Sequence, residues 1–372
     1  MRVLVALSGI HRVARGAEVA LESIADGLGR LGHDVEVVGT GPHQDGRSYR
    51  YRRIPVVERE RFARWPTVPP LRDPAVYEGI TTVPGLLFAS RPADHDITIT
   101  CGFPVENVVL RRPSLRGCRP RHVFVTENGD WPAQQLGREA AALFSCDGLV
   151  CTNPVYLARN RDRWRTALIP NGVDVERFAP GPDERRRLGL PVDVPVVLMV
   201  SALIDSKRIE RGIEAVAALS AAGGTDGVAS ASVLVVAGTG PEHDRLVELG
   251  QSALGDRFSV RAFDFDDMPA LYRSADVLYH PTLLESFGNV YIEAMACGIP
   301  VVAHRSEVTE WIVGEHGWLV DTDDAPTNVA ALRAALDDRT DRAAISDEVR
   351  DRFSWASVAL RYERFCADVL SS

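Results

Sequence analysis

Ten short apolar runs, separated by segments of helical periodicity, constrain what this chain can fold into more than any other feature. In the first half the runs fall at residues 2–7, 35–38, 97–100, 122–126 and 149–151, and in the second at 196–200, 233–237, 258–261, 277–279 and 299–303. Short runs rich in Val, Ile and Leu fit strands buried on both faces. Intervening segments such as 17–31 and 209–219 place apolar residues at helical spacing. Alternation of this kind predicts parallel sheets with helices on both faces. The two series are separated by Pro170-Asn171-Gly172-Val173-Asp174 and a polar, Pro-containing stretch to Pro195, which read as a turn and linker. Two doubly wound α/β domains follow. At 372 residues the chain is also too long for one ordinary core and suits two of roughly 150 to 200 residues.

The net charge of −9 is unevenly spread, with +5 on residues 1–173 and −14 on the remainder. This asymmetry agrees with two domains that meet different partners. The densest basic stretch, Arg47 to Arg64, interleaves seven arginines with Tyr49, Tyr51 and Phe62. The acidic total and the lack of any nucleic-acid motif argue against nucleic-acid binding. A solvated loop accounts for the stretch, with an acidic or membrane-surface acceptor as the functional alternative. Of the 42 basic residues only Lys207 is a lysine, a bias that suggests a GC-rich genome and makes the one lysine conspicuous. No apolar run approaches the roughly 20 residues of a membrane span, and the apolar start at 3–7 is too short for a secretory signal, so a cytoplasmic location is expected. The six cysteines show neither C-x-x-C nor Cys/His metal spacing, and reduced, mostly buried thiols are expected.

Residues 276–303 say most about function. An apolar strand at 277–279 runs into a loop punctuated by Pro281 and Gly288, then into an amphipathic stretch ended by Gly298, then into another apolar strand. Glycine suits that helix end because it takes the left-handed cap without strain. The helix therefore points its N-terminus at a strand's carboxyl end, where ligands of open α/β sheets sit. Backbone N–H groups around Phe287, Gly288 and Asn289 would favour an anion such as a diphosphate. Glu285 before the helix and Glu293 inside it would flank that anion and accept hydrogen bonds from sugar hydroxyls. Two glutamates eight apart usually mean a solvated helix face; the strand, loop, helix, glycine and strand around them give this pair its weight.

The segment resembles the E-x7-E region of the family 4 glycosyltransferases, retaining enzymes of the GT-B fold that use nucleotide-sugar donors. The resemblance covers nearly the whole chain and is strongest from Leu168 to Val320. The stretch Val200 to Lys207 ends a strand and enters a helix, resembling the family's G-R-L-x-x-x-K-G element, with Ser201, Ala202 and Arg208 where the family has Gly, Arg and Gly. A lone ammonium there can neutralise a leaving diphosphate as a point charge, which is the role the resemblance implies for Lys207. Arg208 is the candidate substitute for the missing clamp arginine.

Gly238 and Gly240 match the family's G-x-G-P-E turn, and the next strand ends at Arg261, where family members hold the nucleobase largely through backbone groups. Arg15-Gly16-Ala17-Glu18 resembles the family's Gly-Gly-x-Glu loop, in which Gly16 would let the backbone approach the donor phosphates; a plain helix-start turn is the alternative. After the strand at 122–126 come Asn128 and Asp130, where family members place a His or Asp against the sugar; capping the following helix is the other reading. His11 would face the acceptor or serve structure, and Glu310 resembles a downstream glutamate of the family.

The resemblance implies two Rossmann-like domains: 1–173 with 355–372 on the acceptor side, and 174–354 binding the nucleotide sugar. The last helix then crosses back to the first domain, the alternative being that it packs on its own. Implied too is retaining transfer of a sugar from a UDP- or GDP-type donor, held in a cleft between the domains, to an acceptor hydroxyl. A small metabolite, a growing glycan and a lipid-linked glycan all fit as acceptor, and the N-terminal domain leaves room for a peripheral membrane contact. No Asp-x-Asp element stands at a suitable strand end, so Lys207 and the helix N-terminus would stabilise the diphosphate, and neither metal nor cofactor is expected. By the same analogy Glu285 contacts donor-sugar hydroxyls and Glu293 the ribose. Two rival classes share the pattern: an isomerase resembling nucleotide-sugar 2-epimerases, and a non-catalytic sugar-nucleotide-binding subunit, which Ala202 and the altered glycine loop suggest.

Overall fold

The computed structural model describes residues 1–13, 15–62, 74–113, 119–127, 129–130, 144–222, 231–337 and 341–371. They form two compact units, one made of Met1–Asn171 and Trp355–Ser372, the other of Gly172–Ser354.

Each unit is built on one wholly parallel sheet. In the first, β1 (Arg2–Ala6), β2 (Asp34–Gly39), β3 (Arg50–Arg53), β4 (Ile97–Thr100), β5 (Arg121–Val125), β6 (Gly148–Cys151) and β7 (Thr166–Leu168) lie in the order β3-β2-β1-β4-β5-β6-β7. In the second, β8 (Val196–Val200), β9 (Val233–Ala237), β10 (Phe258–Arg261), β11 (Val277–His280), β12 (Val301–His304) and β13 (Gly317–Val320) lie in the order β10-β9-β8-β11-β12-β13. Both sheets wind outward from their first strand to one edge and then resume on its other side. The doubly wound class is the one the strand–helix alternation predicts.

All ten apolar runs become strands, with ends shifted by no more than two residues. The three additional strands, β3, β7 and β13, are all sheet edges. An edge strand is not covered on both faces along its length, so it needs no continuous apolar run and often carries charge. β3, with the sequence Arg-Tyr-Arg-Arg, corrects the reading of the basic stretch as a solvated loop. Arg50 pairs with Asp34 at 2.8 Å and Arg52 with Glu36 at 2.6 Å, so acids of β2 answer the arginines of β3.

Alternation along β1 explains why both faces of its sheet are buried. Val3 and Val5 pack on one side with Leu21, Ile24 and Leu28 of the helix Gly16–Arg30, while Leu4 and Ala6 pack on the other with Leu86 and Ala89. The helix Trp355–Leu370 joins the first of these cores through Val358, Tyr362, Phe365 and Val369. Each such side chain contributes roughly 1.5–3 kcal/mol on burial, which fastens the chain's last helix to the first unit. The second unit is tied at both its ends: Val173 N–H donates to Phe353 O at 2.8 Å, and Val173 bridges Ser354 in parallel.

Candidate active site

In the second sheet the strand order reverses between β8 and β11, and ligands of open α/β sheets bind beyond the carboxyl ends of such neighbours. The loops leaving these two strands carry Lys207 and Glu285. After β8 the chain makes a 3-10 turn at Asp205–Lys207 and passes through Arg208 in left-handed conformation, φ 55°. After β11 it runs from Pro281 to Gly288, φ 83°, and then into the helix Asn289–Ala296, which opens without a side-chain cap. A Cβ on Gly288 would sit 2.5 Å from the Tyr291 ring and 2.9 Å from Glu285 Cγ, so glycine answers both the backbone and the space.

Lys207 Nζ donates to Glu285 Oε2 at 2.7 Å, and His280, the last residue of β11, donates from Nε2 to the same oxygen at 3.2 Å. Burial pushes the Glu285 carboxyl up, but the His280 hydrogen bond and the Lys207 charge outweigh it and bring the pKa down to about 2. The carboxylate is thus ionised across the physiological range. Three buried polar atoms in the same region, Ser201 Oγ, Thr282 Oγ1 and Tyr291 Oη, have no hydrogen-bond partner among the described residues.

Glu293 lies on the helix Asn289–Ala296 and accepts from Tyr272 Oη at 2.7 Å. Burial raises its pKa, and the Tyr272 hydrogen bond together with the Arg177 charge offsets that only in part. Phe287 is buried and meets Trp311 and Phe353 edge-on at 6.1 and 6.2 Å, so its side chain is core and only its backbone can serve a ligand.

Arg208 does not join Lys207. Its guanidinium donates to Pro281 O and Thr322 Oγ1, both at 3.1 Å, and pairs with Asp323. That corrects the expectation of a substitute clamp arginine: the group already pins the loop after β11 to the one after β13. Its left-handed backbone also explains why glycine suits this position in the resembling element. Gly238 and Gly240 are close-approach positions, where a Cβ would come within 1.9 Å of Ser201 O or 2.4 Å of Leu203 O. They press the β9 turn against the loop that leads to Lys207, and Leu203 N–H donates to Thr239 O at 2.9 Å. Arg261 spends its side chain on Leu188 O at 2.5 Å and on the Phe263 ring, 4.5 Å away.

In the first unit Gly16 is the first residue of its helix, and Arg15 supplies no side-chain cap. Asp130 is buried; it accepts from Asn160 Nδ2 at 2.7 Å and lies 3.6 Å from Arg159. Those contacts fit a structural role better than a catalytic one. Asn128 lies outside the described residues. Its neighbour Glu127 accepts from Asn171 Nδ2 at 2.9 Å, and burial raises its pKa to about 7. His11 stacks on Tyr51 at 4.0 Å, donates from Nδ1 to Pro42 O at 2.9 Å, and accepts from Tyr49 Oη at Nε2, 2.7 Å away. With both nitrogens used, His11 serves structure rather than an acceptor. Glu310 is exposed and pairs with Arg305 at 3.3 Å.

Sequence reasoning passed over His280 and Tyr272, the partners of the two glutamates. His280 stands in the 276–303 segment directly before Pro281, and a histidine closing an apolar strand was the available signal.

Two family models match complementary halves of the chain: Glycosyltransferase Family 4 over residues 14–177 and Glycosyl transferases group 1 over residues 181–352. The chain belongs to the family 4 glycosyltransferases. Among its relatives, a GDP-mannose-dependent alpha-(1-6)-phosphatidylinositol monomannoside mannosyltransferase of Mycolicibacterium smegmatis is 29% identical, over 81% of this chain and 82% of the relative. A D-inositol 3-phosphate glycosyltransferase of Salinispora arenicola is 37% identical, over 61% of this chain and 56% of the relative. Against the inositol-phosphate enzymes of Geodermatophilus obscurus and Salinispora arenicola the chain spans about half of their length.

Solved structures share the GT-B fold. Sucrose-phosphate synthase from Thermosynechococcus elongatus superposes with a TM-score of 0.74 at 23% identity, covering 100% of this chain and 99% of that one. Anabaena HepE in complex with UDP-glucose does so with 0.69 at 19% identity, covering 100% and 99%. Family membership makes glycosyl transfer from a nucleotide sugar the class of activity and disfavours the isomerase and the non-catalytic subunit.

Proposed function

We infer that this chain moves a hexosyl group from a UDP- or GDP-sugar to an acceptor hydroxyl with retention of anomeric configuration and without a divalent metal. The observation that carries the reading is the meeting of Lys207, Glu285 and His280 at the switch point of the second sheet. As the glycosidic bond lengthens, negative charge grows on the diphosphate. Lys207 and the uncapped N-terminus of the helix Asn289–Ala296 can answer that charge without reorganising. Glu285 then takes hydroxyls of the donor sugar and Glu293 those of the ribose. With both glutamates engaged in binding, the departing phosphate is left to accept the acceptor's proton on the same face.

Relatives named for GDP-mannose and for inositol 3-phosphate make those two compounds the first donor and acceptor to try. The test follows nucleoside-diphosphate release from UDP-glucose and GDP-mannose, with D-inositol 3-phosphate and other polyols as acceptors, with EDTA and without. Acceptor-dependent release that EDTA leaves unchanged, with retained configuration, is the expected result. Epimerised donor in the absence of acceptor would favour the isomerase instead.

A peripheral membrane contact through the first unit is supported by the helix Pro74–Ala89. Its single charged residue, Glu78, is buried and paired with Arg12, while Ile80, Leu87 and Phe88 are 43, 43 and 80% exposed. No helix among the described residues is long and apolar enough to cross a membrane. Five free cysteines among the described residues support a reducing compartment, the cytoplasm.

A further inference from the structure

Two donors converge on one oxygen of Glu285. Lys207 and His280 both use Oε2, and Oε1 has no hydrogen bond among the described residues. This has a consequence for turnover, and it rests on the reading of Lys207 as the diphosphate's ligand. An ammonium that turns to a diphosphate divides its attraction between two anions, and its hold on the carboxylate weakens. The loop gives little help: Leu284, next to Glu285, is 92% exposed, so its side chain packs on nothing among the described residues that would steady the loop where the glutamate must be aimed.

His280 does not share that weakness. It is 2% exposed, ends a central strand, and meets the Tyr291 ring edge-on at 5.2 Å and 89°. Tyr291 is itself wholly buried and packed beneath Gly288. The imidazole is therefore set by strand and helix together, independently of the loop.

We propose that His280 is a positioning residue for glycosyl transfer, holding Glu285 by Oε2 so that Oε1 stays aimed at the donor sugar after Lys207 has turned to the diphosphate. It touches neither donor nor acceptor and acts only through Glu285. Removing it leaves diphosphate recognition intact and impairs the use of the sugar hydroxyls during transfer.

The test compares the parent with His280→Leu and His280→Gln at saturating acceptor, reading kcat, donor KM and the inhibition constant of the free nucleoside diphosphate, with thermal unfolding as the check on folding. Loss of one hydrogen bond to a charged group should lower kcat of His280→Leu by about tenfold to a hundredfold, while the nucleoside diphosphate inhibits as in the parent. His280→Gln keeps an N–H where Nε2 stood and should recover most of the loss. If His280→Leu does not fold, His280→Asn, whose shorter amide cannot reach Oε2, takes its place. Parental kcat in a folded donor-less variant would overturn the proposal, as would a Gln variant no better than the Leu variant, since the role would then be packing. Absence of transfer by the parent itself would instead overturn the glycosyltransferase reading beneath it.

Discussion

Lys207, the chain's only lysine, stands 2.7 Å from Glu285, although 78 residues separate them in sequence. Both side chains are about four-fifths covered, with exposures of 22% and 17%, so the pair is shielded from the screening that makes surface ion pairs weak. Within this contact the cation that would receive a departing diphosphate is held by the anion that would receive the sugar.

Replacing Lys207 by alanine removes a preorganised charge, and losses of that kind slow chemistry by about 10² to 10³. We expect kcat to fall on that scale at saturating donor, with far-ultraviolet circular dichroism unchanged. Equal turnover of Lys207→Ala and parent would reject the role. Lys207→Arg should recover only part of the loss, because a planar fork does not replace a compact point charge.

Glu285 ionises at about 2 in the folded chain against its ordinary 4.5. Because the folded value is depressed, its contribution to stability is complete above the unfolded value and disappears as pH falls from about 4.5 towards 2. The shift corresponds to no more than about 3 to 4 kcal/mol. Urea unfolding of the parent and Glu285→Gln should therefore differ most near pH 7 and converge only as pH falls to about 2 or below. A gap independent of pH would show that the carboxylate is not held in this way.

Glu293 presents the opposite sign. Burial raises its folded pKa, so the native state binds protons more readily than the unfolded one and loses stability as pH rises through that range. Glu293→Gln should accordingly melt higher than the parent at neutral pH in the absence of donor, while its donor KM rises. Lower stability of the variant together with an unchanged KM would remove Glu293 from the site.

Phe88 offers a test of the proposed membrane contact that leaves the donor residues untouched. Phe88→Ser, alone or with Leu87→Ser, should weaken co-sedimentation with anionic vesicles without changing turnover of a water-soluble acceptor. Vesicle binding equal to that of the parent would assign the exposed helix face to something other than lipid.

The strands legible in the sequence are those whose physics is local. A central strand of a parallel sheet is apolar on both faces, so its run can be seen without knowing its neighbours. Edge strands escape that test: β3 reads as a basic loop until Asp34 and Glu36 are seen beside Arg50 and Arg52. Among the candidate residues, Glu285 and Glu293 were legible from the strand, loop and helix around them. Glycines 238 and 240 were legible as glycines but not for their reason, which is the closeness of the β8 loop.

By itself the sequence determined two doubly wound domains, the strand-end loops that carry the candidate ligand-binding residues, and the two glutamates with the single lysine among those candidates. Only the tertiary structure decided their partnerships: Lys207 and His280 on one oxygen of Glu285, Tyr272 on Glu293, and Arg208 turned to Asp323 instead of to Lys207. Strand and helix patterns arise from contacts among near neighbours, which spacing displays. Which ions meet depends on the order of strands in a sheet and on the competition between burial and pairing, and no spacing along the chain records either.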